Sequence, residues 1–179
     1  MCGFKNEIVY SNDFTNEDFK INLLPNRLHY ISLAKNLPKS VWNKFRKVHI
    51  NDKNGTCELC GLKMDSRHNC HEIFEVDNKT IRLIGIKVLC YNCHMTQHIG
   101  FVSIGKSDLS IDDLKKHYEK ISGRSFDKES HKAIKEYDRI TKKLKGKKFK
   151  FEIDNKLLGR EIIENYREAL EIKIVHKIS

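Results

Sequence analysis

Cys57-Glu58-Leu59-Cys60-Gly61 and Cys90-Tyr91-Asn92-Cys93 decide the reading of this chain. Each pair sets two thiols across one turn, so that both sulfurs reach a single tetrahedral ion. In a simple ribbon the two pairs lie closer together. Here residues 61–89 separate them, so a hairpin must be looped out between the pairs. Four thiolates fill a tetrahedral shell, and the ion expected here is a structural Zn²⁺ with no open position. Cys2 falls outside this pattern.

The looped-out segment carries the second constellation. His68-Asn69-Cys70-His71-Glu72-Ile73 begins it, and the stretch from Cys70 to Arg82 reads as two strands joined by a turn at Asp77-Asn78. From about Cys90 the spacing suits a short helix ending at Gly100. On that helix His94 and His98 are four residues apart, share one face and can grip one cation. A bound cation beside an activated water is the equipment of phosphodiester hydrolysis. A neutral imidazole such as His71 suits the role of general base on that water.

At these residues the chain resembles a family. CxxCG at Cys57, then Cys70-His71-Glu72-Ile73-Phe74-Glu75-Val76-Asp77, then Leu89-Cys90-Tyr91-Asn92-Cys93-His94 and His98-Ile99-Gly100 resemble the HNH endonucleases. The subgroup is one of bacteria and phages, in which the first histidine sits in a Cys-His-Glu-x-aromatic strand. The likeness is specific over residues 57–100 and weaker from Leu37 to about Leu144. It implies an α+β fold: a ββα-metal core on a four-cysteine zinc knuckle, flanked by N- and C-terminal helices. It also implies a DNA endonuclease with His71 as general base and His94 and His98 as ligands of a catalytic divalent cation, Mg²⁺, Mn²⁺ or a transition metal. The chain departs from the family twice. Cys70 stands where a metal-binding Asp or His is usual, which leaves the third ligand open among Cys70, Glu72, Asp77 and water, with Glu72 the one taken forward. Gly85 stands near the place of the family's bracing asparagine. The alternative is a catalytically silent, zinc-containing DNA-binding module, or a subunit of a defence or toxin complex.

The flanks divide the chain into an N-terminal extension (1–36), a nuclease domain (37–144) and a basic C-terminal extension (145–179). Ile8-Val9-Tyr10 suggests a short strand. Ser40 is the expected cap of a helix with Val41, Trp42, Phe45 and Val48 on one face, ended by Asn51-Asp52-Lys53-Asn54-Gly55. Ser110-Ile111-Asp112-Asp113 opens a helix with Ile111, Leu114, Tyr118 and Ile121 inward, closed by Gly123. The next helix is expected from about Lys128 to Leu144, with Ala133, Ile134, Tyr137, Ile140 and Leu144 inward. Phe149 to Ile153 alternates like a strand, Leu158 to Ala169 has helical spacing, and Ile172 to Val175 is ambiguous.

Net charge is +10 over 179 residues, which favours a polyanionic partner, DNA first. Lys142 to Lys150 holds six lysines in nine positions, and Lys142, Lys143, Lys145, Lys147 and Lys148 are the candidate phosphate contacts. Lys39, Lys44, Arg46 and Lys47 add a second patch. A solvated lysine face is the plainer reading of both. No run of 18 apolar residues exists to span a bilayer, and Met1 to Glu7 lacks a signal-peptide layout. The expectation is a cytoplasmic protein without membrane contact, its clustered cysteines reduced and free for metal. A homodimer is compatible with cutting both strands of a duplex.

Overall fold

The chain between the cysteine pairs folds as the hairpin its alternation predicts. In the computed structural model, which describes residues 16, 19–77, 80–146, 148–154 and 157, β1 (Asn69–Val76) runs antiparallel to β2 (Thr80–Leu89). His71 pairs with Lys87 and Ile73 with Gly85, but Phe74 pairs with Leu83, so Ile84 is an extra residue on β2. This bulge decides which side chains face inward. Without it strict alternation would turn Arg82 toward the core. With it Ile81, Leu83 and Val88 share the buried face with Cys70 and Phe74, and Ile84 stays exposed.

A third strand, β3 (Lys150–Ile153), joins β2 in parallel. Ile81 pairs with Phe151 and Leu83 with Ile153, so the buried faces coincide. Arg82 pairs with Glu152 on the outer face, where the two form an ion pair of 3.0 Å. Phe149, Phe151, Ile153 and Leu157 thus enter one core with Leu28, Ile31, Leu33, Phe45, Leu83 and Leu144. Packing therefore runs across both boundaries drawn from the sequence, at 36 and at 145. Phe149 and Phe151 pack and do not present faces to bases. Phe151→Ala should cost about 3–5 kcal/mol. A denaturant titration reads this; a loss under 1 kcal/mol would mean that β3 lies outside the cooperative core.

Among the described residues the sheet is wrapped by six α-helices and a 3-10 turn (Asn26–Ile31). Helices α1 (Leu33–Asn36) and α2 (Lys39–Asp52) cover one side. Pro38, not Ser40, precedes α2; its ring holds φ at −54°, compatible with a helix start, and Ser40 lies in the first turn. The buried stripe of α2 centres on Phe45 and His49, whose rings meet edge to face at 4.3 Å, and Val48 points to solvent. Trp42 is half-buried and packs against both core clusters. Asn54 and Gly55 end the turn after α2 with φ of 50° and 62°, and a Cβ at Gly55 would stand 2.9 Å from His68 Nε2.

The expected helix through His94 and His98 is two pieces: α3 (Tyr91–Thr96) and α4 (Ile99–Ser103). His98 sits between them at φ −122°, ψ 41°. Helix α5 (Ile111–Ser122) has the expected capping box between Ser110 and Asp113 and ends on Gly123 at φ 65°. Helix α6 begins earlier than expected, at Phe126, because Ser125 caps it, and runs to Leu144. Ala133, Ile140 and Leu144 face inward; Ile111 and Ile134 are exposed and Tyr137 is half-buried. The strand suggested at Ile8-Val9-Tyr10, the helix from Leu158, the tail from Ile172, the turn residue Asn78 and Lys147 lie outside the described residues. Among the described residues no helix is long and apolar enough to cross a membrane.

Candidate metal centres and cleft

Cys57-Glu58-Leu59-Cys60-Gly61 closes into a tight turn. Gly61 N–H donates to the Cys57 carbonyl at 2.9 Å, and Gly61 takes φ 70°, a value that glycine reaches without strain. Glu58 pins the turn to the sheet: its carboxylate accepts from Val88 N–H at 2.7 Å and pairs with Lys53 at 2.9 Å. Across from it Cys90 caps α3, accepting from Cys93 N–H at 3.5 Å.

The two turns bring four buried sulfurs within 4.8 Å of one another. Cys60 Sγ and Cys90 Sγ are 3.7 Å apart. A tetrahedron with metal–sulfur bonds near 2.3 Å has edges of about 3.8 Å, so the spacing fits a structural metal such as zinc. The charge balance agrees. Hydrogen bonds from the Cys60, Cys90 and Cys93 thiols hold Cys57 far below the usual thiol range, while Cys90, donating to its neighbours, and Cys93, first through burial, are pushed up. Four thiolates packed this closely need a cation to offset their charge. His117 of α5 adds a partner the motif does not announce, its Nε2 3.1 Å from Cys93 Sγ. Burial holds its pKa down to about 4, so at neutral pH it is an uncharged imidazole at the edge of the cysteine cluster. Contacts of this kind orient a ligand and spread its charge.

His71, His94 and His98 form a second group, their ring nitrogens again within 4.8 Å of one another. His94 Nε2 and His98 Nε2 lie 3.2 Å apart despite the break between α3 and α4. Two nitrogens bound at 2.0–2.1 Å to one tetrahedral ion would be about 3.4 Å apart, so this pair suits a transition cation. His71 stands a step back, its ring centre 5.4 Å from that of His94 and 5.1 Å from that of His98. Burial, and then the neighbouring His98, keep His94 down to about 3. Burial, then His98, His94 and Lys87, hold His71 well below the usual histidine range. At neutral pH both are therefore uncharged, with a lone pair free for a proton or a cation.

No solved structure, characterised protein or family model matches the chain. Its geometry must speak for itself. Among the described residues no carboxylate joins the three histidines. Glu72 lies on the opposite face of β1, where its carboxylate accepts from Leu33 N–H at 2.9 Å at the start of α1. Strand alternation sends it away from His71, so it is corrected from candidate ligand to a brace for the 3-10 turn and α1. Cys70 shares that face, buried, its thiol pushed up by burial. Asp77 is at the far end of β1 and accepts from Thr80 N–H at 2.8 Å. None of the three candidate third ligands reaches the cluster.

The face of the sheet end opposite Cys70 and Val88 opens into a cleft of about 150 Å³, lined by His71, Ile73, Lys87, Leu89, Leu59, Gln97, Lys20 and Asn22. Lys87 is there because it is the cross-strand partner of His71. Lys20 and Asn22 come from a segment placed in the N-terminal extension by sequence. Of the lysine run, Lys142, Lys145 and Lys148 are exposed and Lys143 is half-buried, at the end of α6 away from this cleft's lining.

Proposed function

We propose that the chain is a metal-dependent HNH-type endonuclease that hydrolyses DNA phosphodiester bonds. The observation that carries this reading is the convergence of His71, His94 and His98, with His71 also lining a cleft that bears Lys87 and Lys20. His94 and His98 hold the cation. When bound, that cation supplies Lewis acidity to the phosphate and stabilises the departing 3′ oxygen. His71, uncharged and set back from the pair, accepts the proton of the attacking water as its oxygen bonds to phosphorus and the bond to the 3′ oxygen breaks. The two lysines offset phosphate charge. The exposed lysines of the 142–148 run extend contact along the duplex backbone, with an affinity that falls steeply with salt.

Plasmid DNA incubated with the purified chain should be nicked or linearised with Mg²⁺, Mn²⁺ or Ni²⁺ and left intact in EDTA. Absence of cutting under every ion overturns the reading. That no carboxylate among the described residues joins the histidines favours one alternative, a silent zinc module that binds DNA, and that module would bind in a salt-sensitive way without cutting.

A further inference from the structure

Asn16 and residues 19–22 are strapped across the cysteine core by a set of hydrogen bonds. Asn16 N–H donates to the Ile121 carbonyl at 2.8 Å and its side-chain amide to the Leu59 carbonyl at 3.1 Å. Phe19 is fully buried against Tyr118, ring centres 5.0 Å apart, and its carbonyl accepts from Tyr118 Oη at 3.0 Å and from the Arg124 guanidinium. The next bonds come from Gln97, between the two ligand histidines in sequence. Its Oε1 accepts from Asn22 N–H at 2.9 Å, and its Nε2 donates to the Lys20 carbonyl at 3.1 Å. Gln97 is buried at 6% exposure, and both ends of its amide are committed to this segment. The bonds fix the backbone on either side of Ile21, itself buried, and Lys20 lines the cleft with His71 and Lys87. Among the described residues neither Lys20 nor Lys87 forms an ion pair with a carboxylate.

We infer that Lys20 and Lys87 form a two-lysine grip for a phosphate anion in this cleft, and that Gln97 is a positioning residue that acts through Lys20. The volume of about 150 Å³ admits a phosphate group. Lysine is suited to the task as a point charge that needs no fixed approach angle. The apolar walls, Leu59, Ile73 and Leu89, lower the local dielectric and strengthen both attractions. The identity of the phosphate as that of a DNA strand rests on the nuclease reading; the anion site itself does not.

The test uses the full chain and two readouts. Inorganic phosphate is titrated at constant ionic strength and followed by amide chemical shifts, and plasmid cleavage gives kcat and KM. Lys20→Ala and Lys87→Ala should each weaken phosphate binding about tenfold and raise KM more than they lower kcat. Lys20→Arg should restore most of the binding. Gln97→Ala should match Lys20→Ala, and the double variant should lose no more than either alone, with metal content and circular dichroism unchanged. Phosphate binding and KM indifferent to Lys20 in a chain that cuts DNA overturn the grip and leave the nuclease reading intact. A wild type that cuts nothing, yet binds phosphate through Lys20 and Lys87, overturns the nuclease reading and supports the grip. Additive losses in the double variant overturn the role given to Gln97.

Discussion

Removing the cation from the four-cysteine site, or changing Cys93 to serine, should unfold the part of the molecule built around it. Cys57, Cys60, Cys90 and Cys93 belong to the same buried cluster as Phe19, Leu114, Tyr118, Ile121 and Phe126. Without a cation four buried sulfurs at this spacing cannot all be ionised, and the two turns lose the bonds that would join them. Structural zinc contributes about 10–16 kcal/mol in small zinc-dependent folds, against a total stability of about 5–15 kcal/mol for an ordinary domain. A strong chelator should therefore abolish the cooperative thermal transition. Zinc added back should restore it, one ion per chain being retained at this site. A melting curve unchanged by chelation would show that the cluster holds itself together through packing and that its sulfurs are thiols.

The second large effect is expected at His71. In the proposed reaction His71→Ala removes the group that takes the proton, while His94 and His98 keep their 3.2 Å spacing. Loss of a general base costs about 10²–10⁴ in rate. Cleavage should fall by that factor with the fold and the bound cations retained. His94→Ala should differ in kind, because it removes a ligand: the rate loss should be partly reversed by raising the divalent ion concentration. A His71→Ala chain that loses its second cation along with activity would instead make His71 a third ligand and leave the base to be found elsewhere. His71→Ala cleaving as fast as wild type would remove it from the chemistry.

The parts of this molecule that were legible in the sequence are those written in local spacing. Cys57, Cys60, Cys90 and Cys93 converge as CxxC pairs should, the hairpin lies between them, and Ser110 and Gly123 bound their helix as read. His94 and His98 meet, although the single helix drawn through them is broken at His98. Alternation also hid things. Glu72 looked available because it adjoins His71 in sequence, and for that same reason it points to the other face. The Ile84 bulge shifts the register by one, so Arg82 and Leu83 exchange the faces that a plain count assigns. Lys87 beside His71 follows from the strand pairing but not from any motif. Lys20, Gln97 and His117 depend on contacts between distant segments, which no local pattern encodes. The placement of β3 beside β2, and not beyond the domain, is likewise a matter of the tertiary core.

The strap at Phe19 has a consequence for how the protein is made. Its carbonyl is held by Tyr118 and Arg124, partners 99 and 105 residues further along the chain. On a ribosome this segment emerges before α5, yet it has nowhere to dock until α5 and the turn after it have followed. Contacts of such long sequence separation form late and slowly. Lys20 therefore takes its place in the cleft only after the cysteine turns, the hairpin, α3 and His98 have been synthesised. The wall of the cleft that Lys20 supplies is the last to be completed, and a nascent chain stopped before residue 118 carries the histidines without it.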